Sequence, residues 1–564
     1  EIILESQNGA ELFLNDIERP LIDAAVQSGN DTVHRATIRL LDGHVYPLRI
    51  DFFKLRHAVD KTAAITLKWR MPRREVEVIP ARYLSPRDYP SVYVCDTPFP
   101  PDDRSVGYER GTNVSKAWDQ ATTDSAIDAA TFVVGHLKQL SNVSANDPKR
   151  VQKLKEFGYR WVSRAFRQPL SDEMKRAYVD RLFDESPSPE MAVKRVVLLT
   201  LMSPRFLYQD VGEPNDTYSV AARMAMTAWD ALPDEALLHA AKKDLKNPDS
   251  VRWHAERMAD DLRTTAKLRE FFLQWLKVDR FTDLAKDAKR FPDFDEQVVS
   301  DLRTALDLFL DDAVLTKEAD YRQLLLADWL YMNGSLAKLY GAKLPEDAPF
   351  QKVTIDGGQR AGVLTHPYLM AGLAYTSKSS PIHRGVFVAR SVLGRSLRPP
   401  PEAVTPLPPE LHADLSTRER IALQTKAEAC QSCHRMINPL GFAFENFDAI
   451  GRYRKQEEGR AVDARGLYQS RDGKLVKFAN IRELAMFLAD SGETHTAFIE
   501  QLFHYLVKQP IRAFGPQTLA SLNERFAANH FNIRKLVVDI IVTSALHPSS
   551  GGAHAGQLSL GGPQ

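Results

Sequence analysis

Three cysteines in 564 residues are too few for a disulfide framework. Charge of one sign is missing too. Lys and Arg total 74 and Asp and Glu 73, a net of +1, so nothing favours nucleic acid or an anionic membrane as partner. No apolar run approaches the length of a membrane-spanning helix, and no span is expected. The chain has no GxGxxG, no P-loop, no HExxH and no GxSxG, which removes the commonest nucleotide, zinc-protease and serine-hydrolase signatures. What remains is an ordinary globular composition, 44% hydrophobic and 26% charged. Its length exceeds a single core, so roughly two to four domains are expected. The first residue is Glu1 rather than Met, so the start of the protein is expected to lie elsewhere and a signal peptide would not be visible here.

Two of the three cysteines stand together in Cys430-Gln431-Ser432-Cys433-His434. This reads as a haem c attachment site: two thiols three residues apart share one helix face, and the next residue is the proximal iron ligand. Chance would place the pattern in roughly one such chain per few thousand. A redox dithiol or half a zinc site does not need that histidine, and no second cysteine pair completes a zinc site. One covalently attached haem c is therefore expected, held by Cys430, Cys433 and His434. Haem c is attached outside the cytoplasm, so the motif implies an exported, periplasmic or cell-surface protein. Cys95 is expected to be a buried or inert thiol.

The fold class expected is multidomain α+β. Residues 1–90 read as a β domain, with alternating runs at 11–14, 37–41, 46–53, 64–69 and 75–79 separated by turn signals. Residues 91–146 read as a connector, with a helix within 119–140. Helical periodicity then takes over. "VQKLKEFGYRWVSRAF" places Val151, Leu154, Phe157, Trp161 and Ala165 on one face. Pro169 closes that segment and Ser171 opens the next. Further helices are expected at 220–231, with Ser219 as N-cap, and at 234–243, 251–260, 264–276, 294–312 and 321–327. Trp161, Trp229, Trp253, Trp275 and Trp329 are expected as core anchors. The carboxylate pairs Asp260-Asp261 and Asp311-Asp312 are expected on solvated helix faces. A proline-rich stretch, "RPPPEAVTPLPPE", should run extended before the motif. Residues 428–545 are expected to form a compact helical unit, and 549–564 a flexible tail.

Resemblances sharpen this division. "ELFLNDIERPLID", "IRLLDGHVYPLRIDFF" and "AAITLKWRMP" resemble a PA14-like β-sandwich over 1–90. Some PA14-like domains bind sugars through paired acidic residues and calcium. No Asp-Asp pair occurs in this segment, so that property does not carry over. "FGYRWVSRAFRQPLSDEM" and "LLTLMSPRFLYQD" (within 147–212), "ARMAMTAWDALPDEALLHAA" and "LLLADWLYMNGSLAKLYG" (213–345), "RAGVLTHPYLMAGLAYTSKSSPIHRGVFVARSVLG" with "CQSCHRMINPLGFAFENFDAIGRYR" (346–460) and "LAMFLADSGETHTAFIEQLFHYLVKQP" (461–548) resemble the planctomycete cytochrome c proteins. Those proteins join a haem c domain to companion helical domains of unknown function. The resemblance implies a periplasmic or cell-surface location and redox chemistry, with no substrate assigned.

His434 needs an acceptor for its second ring nitrogen. Small cytochromes c use a proline carbonyl there, which points to Pro439; the alternative is that Pro439 ends the attachment helix. Arg452 and Arg454 are candidates for the haem propionates, with a surface role as the alternative. No methionine or histidine occupies the loop that would carry the sixth ligand in a simple electron-transfer cytochrome. The remaining candidates are His366, Met370, His383, Met486, His495 and His504, or none. Met486 is expected in a helix core, and Met436 is too close to His434 to reach the opposite face. Three functions stay open. The chain could be an electron-transfer protein with a redox partner, a haem enzyme with an open iron face, or a surface module binding a glycan or protein through its β domain.

Overall fold

The computed structural model describes residues 1–26, 31–54, 63–72, 74–103, 114–208, 216–243, 245–281, 283–355, 359–397 and 415–547. The proline-rich stretch and the tail lie outside the described residues. The protein is α+β, a β-rich N-terminal domain followed by mainly helical structure.

The described residues of the N-terminal domain form seven strands: β1 (Ile2–Ser6), β2 (Gly9–Leu14), β3 (Ile22–Ala24), β4 (Val33–Ala36), β5 (Leu48–Phe53), β6 (Ile65–Trp69) and β7 (Glu77–Val78). They form two antiparallel sheets, ordered β4-β1-β6-β7 and β3-β2-β5. Alternate residues turn inward, as the two-residue strand period requires. Ile2 and Leu4 of one sheet meet Ala10, Leu12, Ile22 and Ala24 of the other in one core. The strand expected at 37–41 is not there. The chain pairs at Val33–Ala36 instead, because β1 sets the register, and Leu41 gives its amide to the Tyr46 hydroxyl at 2.7 Å.

The expected connector contains a long helix, Lys116–Gly135. Its Ala130 and Val133 share a core with Leu154 and Phe157 of helix Arg150–Ala165 and Val193 and Val197 of helix Pro189–Leu201. Val151, placed on that face by periodicity, is exposed at the helix start. Ser171 caps the following turn, accepting the Met174 amide.

The rest of the described chain shares one hydrophobic core, running from Val220 to Ala545. The segments 213–345, 346–460 and 461–548 therefore do not enclose separate cores. Helix Thr217–Trp229 packs on helix Ile533–Leu546, where Arg223 donates to the Ala545 carbonyl at 2.7 Å. Asp216, not Ser219, occupies the N-cap position, and Ser219 lies inside the first turn. Trp229 and Trp275 are buried and Trp161 and Trp329 half-buried. Trp253 is 61% exposed, off the buried stripe Val251, His254, Ala255 and Met258. The acidic pairs are not simply solvated. Asp260 binds Arg534, Asp261 binds Arg263, Asp311 binds Arg269 and Asp312 binds Lys352. Three short antiparallel strand pairs among the described residues, Trp329–Met332 with Gln351–Thr354, Gln456–Glu457 with Arg460–Ala461, and Gly466–Gln469 with Leu475–Phe478, interrupt what reads as helix or irregular chain, so 428–545 is not wholly helical. The β domain is anchored on helix Glu296–Ala313: Arg74 pairs with Asp307, and the Glu75 amide donates to Ser300 Oγ at 3.2 Å.

Candidate functional site

The Cys-Gln-Ser-Cys-His stretch lies in the first half of helix Glu428–Phe442. Helix Thr417–Gln424 precedes it, begun by a reciprocal Ser416–Glu419 capping box. Cys430 and Cys433 are both free and half-buried, one helical turn apart, and His434 is half-buried beside them. Below this face the helix is buried through Ile437, Asn438, Leu440 and Gly441.

The second half of the motif helix crosses helix Pro381–Phe387 at very short range. A Cβ on Gly441 would collide with the Pro381 carbonyl, and one on Gly385 with the Ile437 carbonyl. Glycine is needed at both points because backbone meets backbone.

A buried arginine fixes the chain that follows. Arg384 is fully buried and donates to the carbonyls of Phe444 (3.1 Å), Phe447 (2.7 Å) and Asp448 (2.8 Å). Burial lowers its pKa to about 10, with Glu445 opposing that shift. Burial raises the Glu445 carboxyl, against the pull of Arg384 and Arg454. Arg360, also buried, donates to the carbonyls of Thr365 (2.8 Å) and Gly451 (3.1 Å).

His434 Nδ1 lies 2.8 Å from Asn438 Oδ1. Asn438 Nδ2 donates to Thr425 Oγ1 at 2.8 Å, and Thr425 Oγ1 donates to the Ile421 carbonyl at 2.7 Å. The acceptor for the ring is thus the Asn438 side chain, not the Pro439 carbonyl. Pro439 does not end the helix either: it sits inside it, and its carbonyl faces Gly466. Asn438 was recoverable from the sequence, because residues four apart on a helix are neighbours.

Arg452 and Arg454 are committed to protein partners. Arg452 Nε binds Asp448 at 2.9 Å. Arg454 spans the Glu445 carbonyl at 2.9 Å, Ser379 and the Glu445 carboxylate at 3.2 Å each, and Glu457 at 3.3 Å. Both brace the loop after the motif helix rather than offering a fork to a ligand.

Four of the six candidate sixth ligands are engaged elsewhere, and His383 and Met486 are exposed. His366 is fully buried and accepts the Tyr368 amide at 3.3 Å as a helix cap. Met370 is in the core. His383 is exposed and lies 5.2 Å from the Tyr375 ring. His495 Nε2 is 2.8 Å from the Ala489 carbonyl, and His504 Nε2 accepts the Ile511 amide at 3.0 Å. Met486, expected in a core, is 54% exposed and lines a cleft of about 700 Å³ with Arg471 and Glu493. Cys95 is half-buried rather than sealed away. Burial alone would raise its thiol pKa, but hydrogen bonds from Ser125 and Thr97 outweigh it and the net shift is downward. Among the described residues, no group of three or more His, Cys, Asp or Glu could hold a metal ion by itself, and no helix is long and apolar enough to cross a membrane.

Three family models match parts of the chain. Residues 1–82 match the PA14 domain. Residues 216–342 match PSD4, described as a protein of unknown function (DUF1592). Residues 360–457 match PSCyt3, a protein of unknown function (DUF1588), and this span contains Cys430, Cys433 and His434. The last two are planctomycete cytochrome-associated families. No curated protein and no solved structure matches the chain.

Proposed function

We propose that Cys430, Cys433 and His434 hold one covalently attached haem c and that the chain is an exported electron-transfer protein serving a redox partner. One observation carries this reading: two free thiols and an imidazole share one half-exposed stretch of a single helix whose C-terminal half is locked into the core. The donor set suits the group, since each thiol can take one vinyl carbon and the imidazole one axial position. A haem bound there would supply one-electron redox chemistry. Half-exposure of the motif leaves that chemistry within reach of a partner surface. Export follows from where such attachment is made, and a periplasmic or cell-surface location goes with it.

His366, His495 and His504 are held by hydrogen bonds and Met370 by the core, which favours a second reading, a haem-dependent oxidoreductase whose second axial position is open to a ligand or substrate. The PA14 match supports an accompanying role for the β domain in binding a glycan or protein.

The test is expression of the full chain with its export and haem-attachment route intact. The denatured protein should keep one haem by mass and by alkaline pyridine spectrum, and Cys430→Ser with Cys433→Ser should lose it. Absence of bound haem from the wild type would end the reading. The reduced spectrum with and without carbon monoxide then separates the two roles: no change supports electron transfer, and a shifted Soret band supports the open site.

A further inference from the structure

The hydrogen bonds behind His434 have a direction that can be read from their far end. The Ile421 carbonyl can only accept, so the Thr425 hydroxyl proton points at it. Thr425 Oγ1 therefore receives, and the carboxamide group facing it is the Asn438 nitrogen. The Asn438 oxygen is then left facing His434 Nδ1. An amide oxygen donates nothing, so the proton of that contact belongs to Nδ1. A neutral imidazole carries one ring proton, and Nε2 keeps its lone pair. Among the described residues, Nε2 has no hydrogen-bond partner. Asn438 is 7% exposed and Thr425 3%, so water does not compete for the chain, and a flip of the carboxamide would cost the Thr425–Ile421 bond, because the hydroxyl would have to turn to the Asn438 oxygen.

We propose that Asn438, anchored by Thr425, is the positioning residue that selects the Nδ1–H tautomer of His434 and presents Nε2 as the iron-binding atom, an inference that rests on the haem reading above. The selection runs against intrinsic preference, because a free neutral histidine side chain favours the proton on Nε2. It also makes the ring a stronger electron donor, since an acceptor on Nδ1–H raises ligand basicity.

Two measurements test it. In the haem-free full chain, ring-15N histidine NMR at pH about 9, where an ordinary imidazole is neutral, reads the tautomer directly. His434→Gln identifies the resonances. The wild type should show Nδ1–H. Asn438→Leu should move His434 to mainly Nε2–H, and the milder Thr425→Val should give a mixture. An Nε2–H wild type, or a leucine variant indistinguishable from it, overturns the proposal. In the haem-loaded protein, Asn438→Asp should lower the reduction potential and Asn438→Leu should raise it. Two shifts of the same sign, or none, would show a merely structural role. A chain that carries no haem refutes the haem reading, while the NMR result still decides the tautomer.

Discussion

Gly441 rests against the carbonyl of Pro381 with no room for a side chain, and four residues back along the motif helix the Ile437 carbonyl rests in the same way against Gly385. The two helices thus run antiparallel in backbone contact. Gly441→Ala should destabilise the protein by about 1–3 kcal/mol, because an added methyl in a filled core forces a backbone shift. Urea unfolding of the single variants and of Gly385→Ala with Gly441→Ala checks this. The double variant should cost less than the sum, since one separation of the helices relieves both clashes. Unchanged midpoints would mean that the crossing is looser than described.

Arg384→Met should cost roughly 3–5 kcal/mol. The carbonyl of Phe447 would be left buried without a donor, that of Asp448 would keep only the Gly451 amide at 3.3 Å, and Glu445 would lose one of its two cationic neighbours. Arg384→Lys should rescue little, because one ammonium cannot reproduce the fork. Thermal unfolding and proteolysis around residues 443–457 are the measurements. Recovery by lysine would contradict the hydrogen-bonding role.

His366 supplies a pH-dependent term. Burial, reinforced by Arg360, pushes its imidazole down to about 3, against about 6.5 in the unfolded chain. Below about 6.5 the unfolded state takes up a proton that the folded state refuses, so this contribution to stability is complete above that pH and is lost as pH falls toward 3. His366→Asn keeps an acceptor for the Tyr368 amide and removes the titration. Relative to wild type, the variant should gain roughly 1.4 kcal/mol for each pH unit of acidification between about 6 and about 4. Denaturant curves at stepped pH settle it, and parallel profiles would refute it.

Arg74→Met should loosen the β domain from helix Glu296–Ala313. The loss should stay at or below about 3 kcal/mol, because Arg303 still binds Asp307 at 3.2 Å. Limited proteolysis should release the N-terminal domain earlier, while the unfolding of the helical core stays in place.

The β-then-α order and the motif helix were readable because they rest on local signals: two-residue alternation, helical periodicity and a five-residue motif. Errors came where a distant partner decides. Strand β4 falls at Val33–Ala36 because β1 sets the register, and β1 itself is read from neither alternation nor a turn signal. Met486 and Trp253 are misplaced by hydrophobicity alone. The stripe Ile481, Leu484, Ala485 and Leu488 turns Met486 outward, as Val251, His254, Ala255 and Met258 turn out Trp253. Arg454 looked available until the fold brought Ser379, 75 residues earlier, beside it. The opposite holds for Asn438. Its relation to His434 is a plain four-residue helical spacing, overlooked because the acceptor was sought in a backbone carbonyl.

The contact between Arg223 and Ala545 joins residues 322 positions apart. A ribosome must add those 322 residues before the helix begun at Thr217 can find its mate. Until then the shared core stands open on one side, and closure of so long a loop makes it a late event. A stop codon within helix Ile533–Leu546 would therefore remove the mate of helix Thr217–Trp229. It would leave an unclosed core with exposed apolar surface, which quality-control proteases and aggregation would claim.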